Sequence, residues 1–339
     1  MSKQRKLSYL FSILWVAILF AAIMGAVATG VINSYYSGIL VLIGINIILA
    51  VSLNLVTGFL GQLVLGHAGF MSVGAYSAAL FTMHAGLPIS VAFPLGLIFG
   101  GLVAAIFGVI IGVPALRLRG DYLAIITLGF GEIIRVLVLA VDFTGGAAGL
   151  TGIPYIEGKY TLIIYTFFIA FLTVVAILAF IRSRHGRAVI AIREDEIAAE
   201  ASGINTTYYK LLAFVVAAFF AGVAGGIYAH YIGVLDPSKF DFNYSVEILI
   251  MVVLGGMGSI TGSVCSATVL TLLPEMLRSF ADKRMLIYSL VLIIVMLFKP
   301  PGLLGTREFS VRKIVGKLFK EKKKDTGTPP AGGAPGKEA

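Results

Sequence analysis

Long apolar runs with almost no charge inside them decide what this chain can become. Seven occur, at residues 9–28, 39–56, 89–113, 122–141, 162–181, 211–232 and 285–298. A helix rising about 1.5 Å per residue needs about 20 apolar residues to cross a hydrocarbon core of about 30 Å. Inside lipid every backbone N–H and C=O must be paired within the chain, and apolar runs of this length achieve that as helices. Two further regions, 61–83 and 246–277, are as apolar but interrupted by glycine, so short or re-entrant pieces are expected there. The fold class implied is an all-α polytopic membrane protein of about 8–10 segments, some of them broken. Composition agrees, with 58% hydrophobic residues against 13% charged. Soluble domains carry about 25% charged residues, so this chain cannot cover a globule with polar groups and is no soluble enzyme. Disorder is excluded by the same hydrophobicity.

The scarce charge is sorted. Of a net +9, residues 307–339 hold +5, from nine basic and four acidic side chains. A basic run can bind nucleic acid. Directly after an apolar span, however, it reads as a cytoplasmic anchor beside anionic lipid. The end, TGTPPAGGAPGKEA, is Pro/Gly-rich and expected to be disordered. This divides the chain into a transmembrane domain over 1–306, containing a polar loop at 182–210, and a basic tail over 307–339. Lys3, Arg5 and Lys6, then Arg117 and Arg119, then Arg182, Arg184, Arg187 and Arg193 fall on one side if 61–83 crosses. The positive-inside rule makes that side, with both termini, cytoplasmic. Arg278, Lys283 and Arg284 disagree, because they face outward if 285–298 is the last crossing. The first run far exceeds the 7–15 residues of a signal-peptide core, so it reads as an uncleaved first helix. A single cysteine, Cys265, forms neither an internal disulfide nor a zinc cluster and is expected to be a small buried side chain.

Four places could carry function. The polar loop contains DEIAAEA, whose helix formers and leading acids predict a short helix over 195–201, stopped by Gly203. It is either a solvated loop or a helix that docks into a partner. The segment from Thr57 to Leu80 scatters Gly58, Gly61, Gly66, Gly69 and Gly74 among Gln62, His67, Ser72 and Tyr76. Glycine there permits close helix contact or local unwinding beside a pathway. LGGMGSITGS, with Gly255, Gly256 and Gly258, is a second glycine interruption, and such interruptions in both halves point to a transporter built from repeats. No P-loop pattern occurs, so the chain should not bind ATP itself, and no ligand spacing suggests a metal. Glu132 falls near mid-span with Arg135 three residues on, either a structural ion pair or a functional one. The loop FTGGAAGLTGIP, outside the membrane, is either a flexible connection or a docking surface.

Taken together, residues 61–80, RLRGDYLAIITLGFGEIIR, TGGAAGLTGIP, GRAVIAIREDEIAAEASGIN and VLGGMGSITG resemble the LivM-type permeases of ABC importers for branched-chain amino acids. The resemblance covers roughly residues 39–304. It implies the ABC importer permease fold and an inner-membrane subunit that is not itself an enzyme. Its implied partners are a LivH-like second permease, two cytoplasmic ATPase subunits that bind ATP and Mg, and an extracytoplasmic substrate-binding protein. No cofactor in this chain and no nucleic acid are implied. Residues 187–203 become the coupling segment seated in the ATPase, with Arg187, Arg193, Glu194, Asp195, Glu196, Ala198, Ala199, Glu200 and Gly203. The family loop of ABC permeases reads E-A-A, three residues, then G. Ala198, Ala199 and Gly203 keep their places, but Ile197 stands where the glutamate belongs and Glu196 is one position early. Gln62, His67, Gly69, Tyr76, Glu132, Gly255, Gly256 and Gly258 are the candidates to line the pathway. Gly145, Gly146, Gly149, Thr151 and Gly152 are those to meet the binding protein. Related permeases carry urea or amides, which leaves substrate class open, and an ion-coupled carrier using Glu132 and Arg135 is the competing mechanism.

Overall fold

The computed structural model describes residues 34–118, 120–156 and 161–277, with Lys283, Ser289, Leu290, Ile293, Leu297, Phe298 and Gly302 besides. All belong to one compact unit. The expected first run, Arg119, Arg278, Arg284, most of the last run and the basic tail lie outside the described residues. Among the described residues ten α-helices follow in order: α1 Ser34–Asn54, α2 His67–His84, α3 Ile89–Ala115, α4 Asp121–Ala140, α5 Thr161–Arg182, α6 Arg184–Glu194, α7 Glu196–Ala201, α8 Thr206–Ile232, α9 Phe242–Gly255 and α10 Ile260–Met276. A π-helical turn, Leu55–Phe59, extends α1. No strand occurs among the described residues beyond one isolated bridge, Leu150 to Leu235. Among the described residues five helical stretches are long and apolar enough to cross a membrane: Tyr35–Phe59, α3, α4, α5 and α8.

The bundle has two distinguishable ends. Leu150 and Leu235 exchange both backbone hydrogen bonds at one of them, the bridge end. The polar helices α6 and α7 form an elbow at the other. α1 runs from the bridge end to the elbow, and α10 runs back beside it, as Asn54–Ser263, Asn46–Thr271 and Tyr35–Glu275 contacts show in sequence. Gly302 returns to the elbow end, where a Cβ on it would lie 2.6 Å from Gly256 Cα. Met276 and Gly302 therefore lie at opposite ends of the bundle.

The centre of the unit is α2, α3 and α8, held close by glycine. A Cβ on Gly74 would lie 2.1 Å from Gly222 Cα, and one on Gly222 would lie 2.8 Å from Gly100 O. Backbones approach this way when small residues face each other. By contrast α4 and α5 turn rows of apolar side chains outward, among them Ile125, Ile133, Leu137, Phe168 and Leu172. The row has the chemistry of a surface solvated by lipid or by another membrane subunit. Cys265 corrects the sequence expectation. It is exposed, because α10 buries its Gly262, Ser263, Ser266 and Ala267 face and presents Cys265 on the opposite one.

Candidate functional site: two broken helices and a polar elbow

The two glycine interruptions meet. α1 ends in the π turn, leaves the helix at Gly61 with φ +77, and restarts as α2 only at His67. α9, about 21 Å long at 1.5 Å per residue, is too short to span and turns through residues 256–259 into α10. Asn54, fully buried at the end of α1, ties the two regions together. Its Nδ2 donates to Ser259 O at 3.0 Å and to Ser263 Oγ at 2.9 Å, while its Oδ1 accepts from Gly258 N at 2.9 Å. Contact is close enough that a Cβ on Gly58 would lie 2.3 Å from Gly258 N. Sequence reasoning missed Asn54, whose only signal is an amide inside an apolar run.

The other pathway candidates do not gather in one cavity. His67 is buried, with Nε2 2.9 Å from Ser52 Oγ, which itself donates to Leu49 O. Tyr76 donates its hydroxyl to Leu235 O at 3.1 Å, linking α2 to the bridge end. Gly69 brings α2 against α4, where its Cβ would lie 2.9 Å from Gly131 Cα, and Gly255 packs on the backbone of Gly262. Gln62 Oε1, Thr57 Oγ1 and Ser72 Oγ are buried with no hydrogen-bond partner. Gly69 and Glu132 do come together, lining a narrow surface crevice with Leu65, Leu128, Asp241 and Ser245. Glu132 Oε2 accepts from Arg135 Nε at 2.7 Å, so the pair forms as its spacing implied.

At the elbow the predicted helix over 195–201 forms as α7, with Asp195 just before it and a second helix, α6, preceding that residue. Asp195 is extended, and its carboxylate accepts from the N–H groups of Ile197 and Ala198, which makes it the N-cap of α7 rather than part of the first turn. α6 is an additional helix, capped by Ser183 and seated by Ala188, Val189 and Ile192. Gly203, at φ +83, ends α7 as expected, with Ile204 N–H returning to Ala199 O. Glu196 Oε2 lies 2.7 Å from Lys210 Nζ, and Lys210 is only 2% exposed at the start of α8. That pair pins α7 to the transmembrane body. Ala199 faces inward, whereas Glu194, Ala198 and Glu200 are exposed and Ile197 is 72% exposed. Arg187 is exposed too, with Nη1 near Arg182 O. Arg193 alone of these reaches the glycine breaks: its Cγ and Nη1 lie 3.0 Å and 2.9 Å from where a Cβ on Gly61 and on Gly258 would stand.

At the bridge end the glycine loop is built from tight turns. Two 3-10 turns, Asp142–Thr144 and Gly146–Ala148, are joined by Gly145, and Gly145, Gly146, Gly149 and Gly152 all take positive φ. Gly149 is required by contact as well, since a Cβ there would lie 2.6 Å from Leu235 O. Thr151 and Gly152 are exposed beyond the bridge. On the facing loop, side-chain and backbone hydrogen bonds from Ser238 hold the Asp236 carboxyl below the usual carboxylate range.

Apolar helices that cross a membrane, break at glycine in two places and carry a polar elbow at one end define a multi-pass permease. Residues 35–299 match the family described as "Branched-chain amino acid transport system / permease component", and the chain belongs to that family. It is 39% identical over 291 residues to the high-affinity branched-chain amino acid transport system permease protein LivM of Salmonella typhimurium, covering 77% of this chain and 68% of that one. The LivM protein of Escherichia coli is 38% identical over the same shares. LivH of Escherichia coli is 34% identical over 143 residues, 41% of this chain and 46% of its own. No solved structure matches.

Proposed function

We infer that this chain is the LivM-type half of an ATP-driven importer that moves branched-chain, hydrophobic amino acids across the inner membrane by alternating access. The observation that carries this reading is the elbow. An isoleucine 72% exposed sits among Glu194, Asp195 and Glu200, outside every apolar span, on a short helix fixed to α8 by the Glu196–Lys210 pair. An exposed apolar side chain ringed by charge suits the centre of a protein interface. A rigid anchor behind it suits transmission of force. The elbow end is then cytoplasmic and receives two ATPase subunits, which supply ATP and Mg. A LivH-like permease covers part of the outward-turned apolar surface, and the substrate-binding protein meets the bridge end at Gly145, Gly146, Gly149, Thr151 and Gly152. Glu132 and Arg135 neutralise each other in this arrangement, which favours a structural pair over an ion-coupling site.

Replacing Ile197→Asp should lower recovery of the ATPase subunits with the permease by at least about fivefold, while membrane insertion stays normal. Unchanged recovery sinks the docking reading. Uptake by the purified chain alone under an ion gradient, without ATP, would establish the ion-coupled alternative instead.

A further inference from the structure

Arg193 stands where three segments meet. It occupies the last turn of α6, and its stem lies over Gly61, the residue at which the α1 extension leaves the helix. Its Nη1 lies over Gly258, in the turn between α9 and α10. Both glycines have positive φ, +77 and +85, so a side chain at either position would be strained as well as set against the arginine. Asn54 joins the two breaks from inside the protein, and Arg193 bridges them from the elbow side.

Its charge suits that position. The α1 extension ends at Phe59, two residues before Gly61, and α9 ends at Gly255, three residues before Gly258, so Arg193 lies over chain that has just left two helix C-termini. The last carbonyls of a helix lack intrahelical partners and carry partial negative charge, which favours a cation within the final turn. The first break also holds polar atoms that this arrangement leaves unsatisfied. Thr57 Oγ1 and Gln62 Oε1 are buried without partners, on either side of the point where Arg193 rests. Buried groups of that kind are rare in a settled core.

We propose that Arg193 is a positioning residue that carries displacement of the elbow to both glycine breaks at once. It acts on the transmembrane body and is not the contact that holds the driving subunit, a role that falls to the outward face around Ile197. Packed elements are bistable, so a shift of about 1–2 Å in α6 suffices to move a break between arrangements. The proposal rests on the elbow being the docking site.

The test uses the assembled transporter, with both permeases and both ATPase subunits, reconstituted in liposomes with the binding protein. In Arg193→Ala the ATPase subunits should still co-purify, while amino acid taken up per ATP hydrolysed falls about tenfold. Arg193→Lys keeps the charge and the stem but not the planar fork, and should recover part of that loss. A ratio within about twofold of wild type in the alanine variant overturns the proposal. So does loss of the ATPase subunits from it, because Arg193 would then be a docking residue. If the alanine complex does not assemble in usable amount, the lysine variant decides: a fall of at least about threefold with full ATPase recovery supports the role, and an unchanged ratio ends it. Absence of ATP-dependent uptake in the wild-type complex would overturn the docking reading itself, so the two failures are separable.

Discussion

The two glycine-broken regions look alike in composition and are built to different ends. In the second, α9 turns into α10 within residues 256–259 and its polar groups are closed off. Gly256 N–H returns to Val252 and Val253, Ser259 Oγ accepts from Gly262 N, and Ser266 Oγ donates to Met251 O. In the first, the chain leaves α1 through a π turn, runs without helix over residues 61–66, and leaves Thr57 Oγ1 and Gln62 Oε1 without hydrogen-bond partners. π turns are wider than α turns and recur where a helix must change shape. Glycine gives the backbone permission in both places. The pairing of the surrounding polar groups separates a clamp from a hinge.

If that distinction holds, the clamp should fail most sharply. A Cβ at Gly262 would lie 2.1 Å from Gly255 O, backbone against backbone, so Gly262→Ala leaves nothing flexible to yield. Loss of folded protein from the membrane fraction is expected, measured by size-exclusion of the solubilised chain. Gly61→Ala is the contrasting change. Its Cβ meets the stem of Arg193 at 3.0 Å, a side chain that can shift, and the remaining cost is the positive φ. That is about 1–2 kcal/mol for a non-glycine residue, enough to lower a melting temperature but not to abolish folding. Equal losses in the two variants would erase the comparison.

Asn54 comes next in size, because it belongs to both regions. Asn54→Ala removes three hydrogen bonds and leaves Gly258 N–H without its Asn54 acceptor, a buried loss of about 1–3 kcal/mol for each orphaned group. Asn54→Asp should lie between, since a carboxylate still accepts from Gly258 N but cannot donate to Ser259 O. Thermal unfolding of the three proteins in one detergent orders them.

How much of this was legible in the sequence follows from the range of the forces involved. The run at 89–113 became Ile89–Ala115 and that at 162–181 became Thr161–Arg182, because the length of an apolar run is a local property. Glu132 and Arg135 were legible for the same reason, three residues apart on one helix. α6 was legible in principle: Ala188, Val189 and Ile192 form an apolar stripe at helical spacing in RHGRAVIAIRE. Asn54 and Lys210 were not. Each is a polar residue in an apolar stretch whose meaning lies in a partner elsewhere, Ser259 for one and Glu196 for the other. Gly69 and Gly255, both read as pathway candidates, pack against glycine backbone, a partner that only the fold reveals and that small residues in membrane helices permit.

The smallest expected effect gives the finest reading of the hinge. Thr57 Oγ1 is buried and unpartnered, so replacing it with valine, which has nearly the same shape, removes a desolvated hydroxyl at no cost in contacts. Thr57→Val should therefore leave stability unchanged or raise it by about 1 kcal/mol. A clamp residue behaves in the opposite way: Ser263→Ala removes a hydroxyl that Asn54 donates to and should cost about 1 kcal/mol. Uptake is where Thr57 should show its use. If the hydroxyl finds a partner when the first break rearranges, the valine variant favours the arrangement described here and slows turnover, even as it melts higher. A variant that melts higher and transports at the wild-type rate would make Thr57 a packing residue with a misplaced hydroxyl, and the first break would lose its best evidence of a second state.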